Sequence, residues 1–197
     1  MSFYWTASPG SAWRSGTSSE PLVVLIGPAD PARVAELAEL AARTFPLACP
    51  PSAGPADIAA FVAENLTAAR FSDYLRDPDR IVLTATDGDR IVGYAMTICA
   101  AADDPDVAAV VSQRPAVELS KIYVAPQAHG TGASAALMSA VLRHAAESGA
   151  ACVWLGVNQK NARAQRFYRK HGFTQVGTKT FRLGTHIEHD YVMARPV

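Results

Sequence analysis

The stretch that most constrains this chain runs from Val117 to Ala146. An apolar, β-branched run from Val117 to Val124 stops at Pro126, a loop carries Gly130 and Gly132, and a pattern of helical period begins at once. It reads as strand, glycine loop, helix. Leu137 with Val141 and Met138 with Leu142 stand four residues apart on one stripe, while Arg143 and Glu147 fall elsewhere. Gly149 supplies a C-terminal stop. The first turn of such a helix leaves backbone N–H groups unpaired, and its aligned peptide dipoles put about half a positive charge there. Glycines at 130 and 132 let the amides of His129, Gly130, Thr131, Gly132 and Ala133 approach phosphate oxygens without intervening Cβ atoms. A tight turn with no ligand is the other reading of the loop alone. A dinucleotide fingerprint needs a third glycine where Ala135 stands, and a P-loop needs Gly-Lys-Ser/Thr; neither is present.

Order along the chain adds to this. Gln127-Ala-His-Gly130-Thr-Gly132 follows the strand, and downstream stand Asn158, Asn161-Ala-Arg-Ala164-Gln-Arg-Phe167-Tyr168 and Lys170-His-Gly172-Phe173. On these residues the chain, over about 22 to 194, resembles the GNAT family of N-acetyltransferases. The family's acyl-CoA signature is Gln/Arg-x-x-Gly-x-Gly/Ala, and a later segment reads Asn-x-x-Ala-x-x-Phe-Tyr-x-Lys-x-Gly-Phe. The resemblance implies a single-domain α/β fold: a mixed, twisted, mostly antiparallel sheet flanked by helices. Its central strand splays from its neighbour and takes the pantetheine arm of acetyl-CoA along backbone groups at Ile122, Tyr123 and Val124. It further implies cosubstrate contacts at Gln127, His129, Gly130, Thr131, Gly132 and Ala133, and at Asn158, Asn161 and Tyr168, with no metal. Arg70-Phe-Ser-Asp-Tyr-Leu-Arg-Asp-Pro-Asp-Arg and Glu-Leu-Ser-Lys-Ile-Tyr-Val look like the bacterial spermine/spermidine acetyltransferase branch.

Acetyl transfer to an amine makes chemical demands that name further candidates. A lysine-like amine has a pKa of about 10.4 and is almost wholly protonated at pH 7, so a base or water chain must take its proton. Glu118 opens the otherwise apolar central strand and is the candidate base; a solvated strand-end charge or a salt bridge to Lys121 is the plain alternative. The departing thiolate needs a donor. Tyr168 stands where the family's tyrosine acid does, and a phenol of pKa about 10 keeps its proton at neutral pH. A core aromatic beside Phe167 is its plain alternative. Asn158 and Asn161 suit pantetheine contacts, helix capping, or both. The His186-Ile-Glu-His189 spacing fails as a metal pair, because strand residues three apart face opposite sides.

The remaining sequence bounds the setting. A chain of 197 residues suits one domain, here 21–197 behind a loose arm at 1–20 whose Phe3, Tyr4, Trp5 and Trp13 suit docking on the body or a second subunit. Eighteen basic residues against eighteen acidic argue against a global nucleic-acid footprint. No apolar run approaches the length of a membrane span. Cys49, Cys99 and Cys152 lack metal-type spacing and read as buried reduced thiols in a cytoplasmic protein. The expected partners are acetyl-CoA and an amine acceptor, with a homodimer through the final strands.

Along the chain, the expected order is a strand from Leu22, a helix after Asp30-Pro31, and helices around Ile58–Leu66 and Phe71–Arg76. A hairpin turns at Asp87-Gly88-Asp89, with Gly93 marking a close backbone contact or a bulge. Ala101 to Ala116 reads as a polar loop whose Asp103, Asp104 and Asp106 form a solvated surface or an acidic lip for a cationic amine. Strand 152–157, helix 161–170 and an antiparallel pair at 174–183 and 186–193 complete the chain. The competing functional class is a module that binds acyl-CoA without turnover; retention of Tyr168 beside a complete glycine loop favours catalysis.

Overall fold

The computed structural model describes residues 24–50, 52–100, 104–184 and 186–197, so the aromatic arm expected at 1–20 and the strand start at Leu22 lie outside the described residues. The elements in order are β1 (Val24–Pro28), α1 (Val34–Thr44), α2 (Pro55–Asn65), α3 (Ala68–Arg76), β2 (Arg80–Asp87), β3 (Arg90–Ile98) and α4 (Pro105–Val110). There follow β4 (Ala116–Val124), α5 (Ala133–Glu147), β5 (Cys152–Asn158), α6 (Ala162–Lys170), β6 (Thr174–Leu183) and β7 (His186–Pro196). All seven strands share one sheet in the order β1-β2-β3-β4-β5-β7-β6. Every neighbouring pair is antiparallel except β4 and β5, whose parallel pairing requires the crossover that α5 supplies. This is the mixed, mostly antiparallel α/β sheet expected from the resemblance.

Local chemistry sets the helix starts. Asp30 accepts from the Ala32 amide at 2.8 Å and opens a short 3-10 turn that leads into α1, where Leu37, Leu40 and Ala41 form the buried stripe. Thr67 caps α3 and Asn161 caps α6 in the same way. The segment 101–116 corrects the expectation of a loop: Asp104 accepts from the Asp106 amide, Pro105 takes the first helical position, and α4 forms. Its Val107 and the following Val111 bury themselves against Trp154 and Val192, which supplies the packing that so short a helix needs.

The two faces of the sheet are covered differently. Leu137, Met138 and Val141 of α5 share one core with Val153, Leu155 and Val157 on one face, where α5 lies over β1 to β5. On the other, α1 and α3 cover the β2–β4 half, where Phe71 meets Tyr94 edge to face at 5.6 Å, and α4 covers Trp154 and Val192. Between these two caps lies a stretch of sheet surface that α2 meets only at its β6 side, where Phe61 packs edge-on to Phe181.

The strands open beside that stretch. β4 pairs with β5 only over Ala116–Cys152, Val117–Val153 and Glu118–Trp154, and Leu119–Val124 have no partner on β5. On its other side β4 opposes Thr97 with Leu119 and Met96 with Lys121, which leaves Ser120 as a bulge at the point of divergence. Gly93 permits the close approach on the β3 side: a Cβ there would stand 3.0 Å from the Tyr123 carbonyl oxygen and 3.0 Å from Val124 Cγ2.

Candidate active site

A cleft of about 290 Å³ fills the gap between the splayed strands and continues over the sheet surface between the two caps. Ile122 and Tyr123 of β4, Val157 and Asn158 of β5, and Asn161, Ala164 and Tyr168 line its first part. Along this edge the backbone of β4 has hydrogen-bonding capacity that β5 does not use. Val124 and its neighbour Ala125 carry the strand to a 3-10 turn holding Gln127, and there the glycine loop begins.

The loop has the geometry that anion binding needs. Gly130 and Gly132 adopt φ of +84° and +88°, left-handed values that glycine reaches without penalty, and α5 starts at Ala133. The amides of Gly130, Gly132, Ser134 and Ala135 find no acceptor among the described residues, and that of Ala133 has only a long contact of 3.4 Å to Thr131 Oγ1. Thr131 in turn donates to the Ala128 carbonyl at 2.8 Å, which fixes the loop from within. His129 bridges two elements: Nε2 lies 3.2 Å from the Val124 carbonyl and Nδ1 lies 3.2 Å from Arg163 Nη2. Because guanidinium only donates, Nδ1 accepts and Nε2 carries the proton. Arg163 thus puts a cation beside the loop, a contribution that its position in the sequence alone did not mark.

Tyr168 faces the cleft, and its ring packs edge-on against Phe167 and Phe173. Burial pushes its hydroxyl up to about 12, so the phenol is protonated throughout the neutral range. Tyr123 is likewise raised by burial, with Tyr168, Cys49 and Asp190 nearby adding to the effect. Asn161 spends its side-chain oxygen on the Ala164 amide at 3.0 Å, so capping is a role the structure assigns it. Asn158 receives the Lys160 amide on Oδ1 at 2.9 Å and donates from Nδ2 to Glu188 at 3.3 Å.

Three carboxylates line the sheet floor, and their surroundings separate them. Residues directly opposed across strands share a face, so Glu118 with Trp154, Asp190 with Asn158 and Lys179, and Glu188 with Phe181 all point to the same side. Glu188 is 5% exposed and accepts from Ser52 Oγ at 2.8 Å, Asn158 Nδ2 at 3.3 Å and Lys160 Nζ at 3.3 Å. The Ser52 hydrogen bond leads the contacts that hold it below the usual carboxylate range. Asp190 is raised to about 6, mainly by burial, with Lys179 opposing the shift. Glu118 is also raised by burial, against the pull of Lys179, Lys121 and Arg80. It forms no ion pair within 4 Å among the described residues, so the simple salt bridge to Lys121 is not made. Lys121, for its part, is lowered to about 8 by burial.

The far wall is aromatic. Phe45, Phe61 and Phe181 line it, with Phe45 stacked on Phe61 at 4.4 Å and Phe181 edge-on to Phe61 at 5.9 Å. Asp190 and Glu188 are not singled out from sequence as members of this floor. A signal existed, since a period of two counted back from Val192 through β7 puts Asp190 and Glu188 on its buried face. Of the acidic residues at 103–106, Asp103 lies outside the described residues, Asp104 is engaged as the α4 cap and lies 3.9 Å from Lys179 Nζ, and Asp106 is exposed. The expectation of three buried thiols also needs correction. Cys152 is buried, Cys99 is exposed on the strand end, and Cys49 is half-buried at the cleft, where burial raises its thiol to about 11. Among the described residues no group of three His, Cys, Asp or Glu stands where it could share a metal ion, and no helix is long and apolar enough to cross a membrane.

Comparison with known proteins gives a consistent picture. Residues 35–173 match the model of the Acetyltransferase (GNAT) family. Over 160 residues the chain is 61% identical to an uncharacterised N-acetyltransferase of Mycobacterium tuberculosis, covering 81% of this chain and 95% of that one, and the same holds for its counterpart in Mycobacterium bovis. Among solved structures, the PaiA N-acetyltransferase of Thermoplasma acidophilum in complex with coenzyme A superposes with a TM-score of 0.71 at 16% identity, over 88% of this chain and 99% of that chain. A ribosomal-protein-alanine N-acetyltransferase from Brucella melitensis gives 0.64 at 22% identity, over 88% and 99%.

Proposed function

The chain belongs to the GNAT family and is an acetyltransferase, and from that premise we propose that it moves the acetyl group of acetyl-CoA to the nitrogen of a primary amine by direct attack. The acceptor is a small molecule or a peptide amine. The observation that carries this reading is the divergence of β4 from β5 after Glu118, which leads to a loop with unpaired amides at Gly130, Gly132, Ser134 and Ala135. Such an edge suits the pantetheine amides, offered by Ile122, Tyr123 and Val124. The loop from Gln127 through His129 to Ala133, with Arg163 beside it, suits the pyrophosphate.

In this reading the amine nitrogen attacks the thioester carbonyl carbon, a C–N bond forms, and the C–S bond breaks. The ammonium proton passes to a carboxylate of the sheet floor and from there to solvent. Glu118 and Asp190 both suit that step, because burial raises each toward neutrality; Glu188 does not, since three donors hold it as a fixed anion. Tyr168 serves the sulfur. A phenol raised to about 12 gives its proton up poorly to a thiolate that titrates near about 8.5, so its part is chiefly a hydrogen bond that stabilises the departing charge. Lys121 and Lys179 offset part of the negative charge of the floor. A homodimer is supported by β6 lying at the sheet edge with Val176 39% exposed.

The test is a thiol-release assay with acetyl-CoA and mixed primary amines, with the acetylated product identified by mass spectrometry. Product formation is expected. Tight acetyl-CoA binding with no product from any amine would support a non-catalytic acyl-CoA sensor instead.

A further inference from the structure

We propose that the acceptor subsite is the space between Asp190 and the ring wall of Phe45, Phe61 and Phe181, and that it takes a primary amine with one positive charge on an apolar, ring-sized body. This rests on the acetyl-transfer reading and narrows it. Two independent features of the cleft support it.

The first is shape and polarity. The three rings come from separate parts of the chain, the 3-10 turn that follows α1, α2 and β6, yet they meet as one surface through a stacked contact at 4.4 Å and an edge contact at 5.9 Å. Phe181 opposes Glu188 in the β6–β7 ladder, and Lys179 opposes Asp190, so the wall stands one side-chain row from the Asp190 carboxylate. Gly156 clears the floor beneath that carboxylate: a Cβ there would lie 3.3 Å from Asp190 Oδ2 and 3.4 Å from Lys179 Cε. A cleft of about 290 Å³, part of it needed by the thioester, leaves room for a body about the size of one ring.

The second feature is charge. Lys160 answers Glu188 at 3.3 Å, Lys179 reaches Asp104 at 3.9 Å, and Lys121 faces Glu118, while Arg80 is held by Asp77 at 2.8 Å. Four carboxylates, at 104, 118, 188 and 190, thus meet three lysines, at 121, 160 and 179, which leaves one negative charge, with Lys179 shared between Asp104 and Asp190. One ammonium completes the balance. The second and third ammonium groups of a linear polyamine would have to leave water for a site that already holds Lys121 and Lys179, which is costly for unpaired cations.

Asp190 then both seats the ammonium and receives its proton. It is farther from the closed end of the splay than Glu118: its partner Asn158 lies four residues along β5 from Trp154, the partner of Glu118, or about 13 Å of strand. The groups that shape the titration of Asp190 are Lys179 from β6, the Asn158 side chain from β5, Glu188 and the flanking His189 from its own strand, and Tyr123 from β4.

The experiment compares kcat/KM at saturating acetyl-CoA for 2-phenylethylamine, methylamine and spermidine, using the full chain. The ring-bearing amine is expected to lead both others by tenfold or more. Phe61→Leu and Phe181→Leu should each shrink that lead at least threefold, and acetyl-CoA binding by each variant verifies the fold. Asp190→Asn should lower turnover with every amine and remove the acidic limb of the pH profile, whereas Glu118→Gln should leave that limb in place. Preference for spermidine, a lead unmoved by either ring variant, or an acidic limb that survives Asp190→Asn overturns the inference while leaving acetyl transfer intact. Acetyl-CoA binding with no amine consumed overturns both.

Discussion

The two halves of the cleft are built in different ways. The half proposed for the cosubstrate is made of backbone: a strand edge that β5 does not pair, two left-handed glycines and the amides of a helix start that find no acceptor among the described residues, all within Ala116–Ala135. The half proposed for the acceptor is made of side chains drawn from 45, 61, 118, 181, 188 and 190, brought together only by the sheet register and by the packing of α1 and α2 over it. Backbone can serve one unchanging ligand with many different side chains around it. Side chains are where selectivity for the second substrate resides. Substitutions should therefore separate cleanly, with changes in the acceptor half altering turnover and preference and changes in the loop altering cosubstrate affinity.

The largest effect is expected at Asp190. Replacement by asparagine keeps the shape and removes the proposed base, so kcat/KM should fall by about 10²–10³-fold, within the range of general-base contributions, while the acetyl-CoA Kd stays within twofold. Tyr168→Phe sharpens the comparison from the border of the two halves: kcat should fall about tenfold to a hundredfold, again with cosubstrate affinity unchanged. Equal loss of kcat and affinity in either variant would break the division. Gly132→Ala addresses the backbone half. At φ +88° an L-residue pays about 1–2 kcal/mol, yet a Cβ there meets nothing within 4 Å, so the loop should relax rather than clash. Its acetyl-CoA KM should rise about tenfold or less while acceptor preference holds.

A separate effect falls on stability and has a definite sign. The Asp190 carboxyl is raised from the ordinary 3.8 to about 6, so the folded chain holds this proton at pH values where the unfolded chain has lost it. Stability therefore falls as pH rises from about 4 to about 6 and stays lower above that window. Asp190→Asn removes the penalty and should stabilise the protein by about 2–3 kcal/mol at pH 8, with the difference vanishing near pH 4, as thermal unfolding at the two pH values would reveal.

This contrast also explains what the sequence made legible. The order strand, loop, helix can be read between Val117 and Ala146 because each piece follows a local rule: β-branched residues, glycines at positive φ, and apolar residues four apart. The Tyr168 helix is readable for the same reason, with Asn161 as cap and Gly172 as stop. The acceptor floor obeys no local rule. Asp190 and Glu188 belong to the site only because β7 lies beside β5 and places Asp190 opposite Asn158, a register set by contacts remote in sequence. At six residues, α4 is too short to display a period, but its Asp104-Pro105 start repeats the Asp30-Pro31 signature that marks the approach to α1. Asp77-Pro78 carries the same pair and ends a helix instead, which shows why the dipeptide alone does not decide.

The central claim, that acetyl-CoA is held by backbone along the splay and at the glycine loop, is tested most directly by titrating acetyl-CoA into the 15N-labelled protein and following amide shifts. The account predicts the largest changes at Gly130, Gly132, Ser134 and Ala135 and along Ile122–Val124, with the same pattern in Asp190→Asn. Shifts confined to β6, β7 and the ring wall, with the loop amides unmoved, would contradict it.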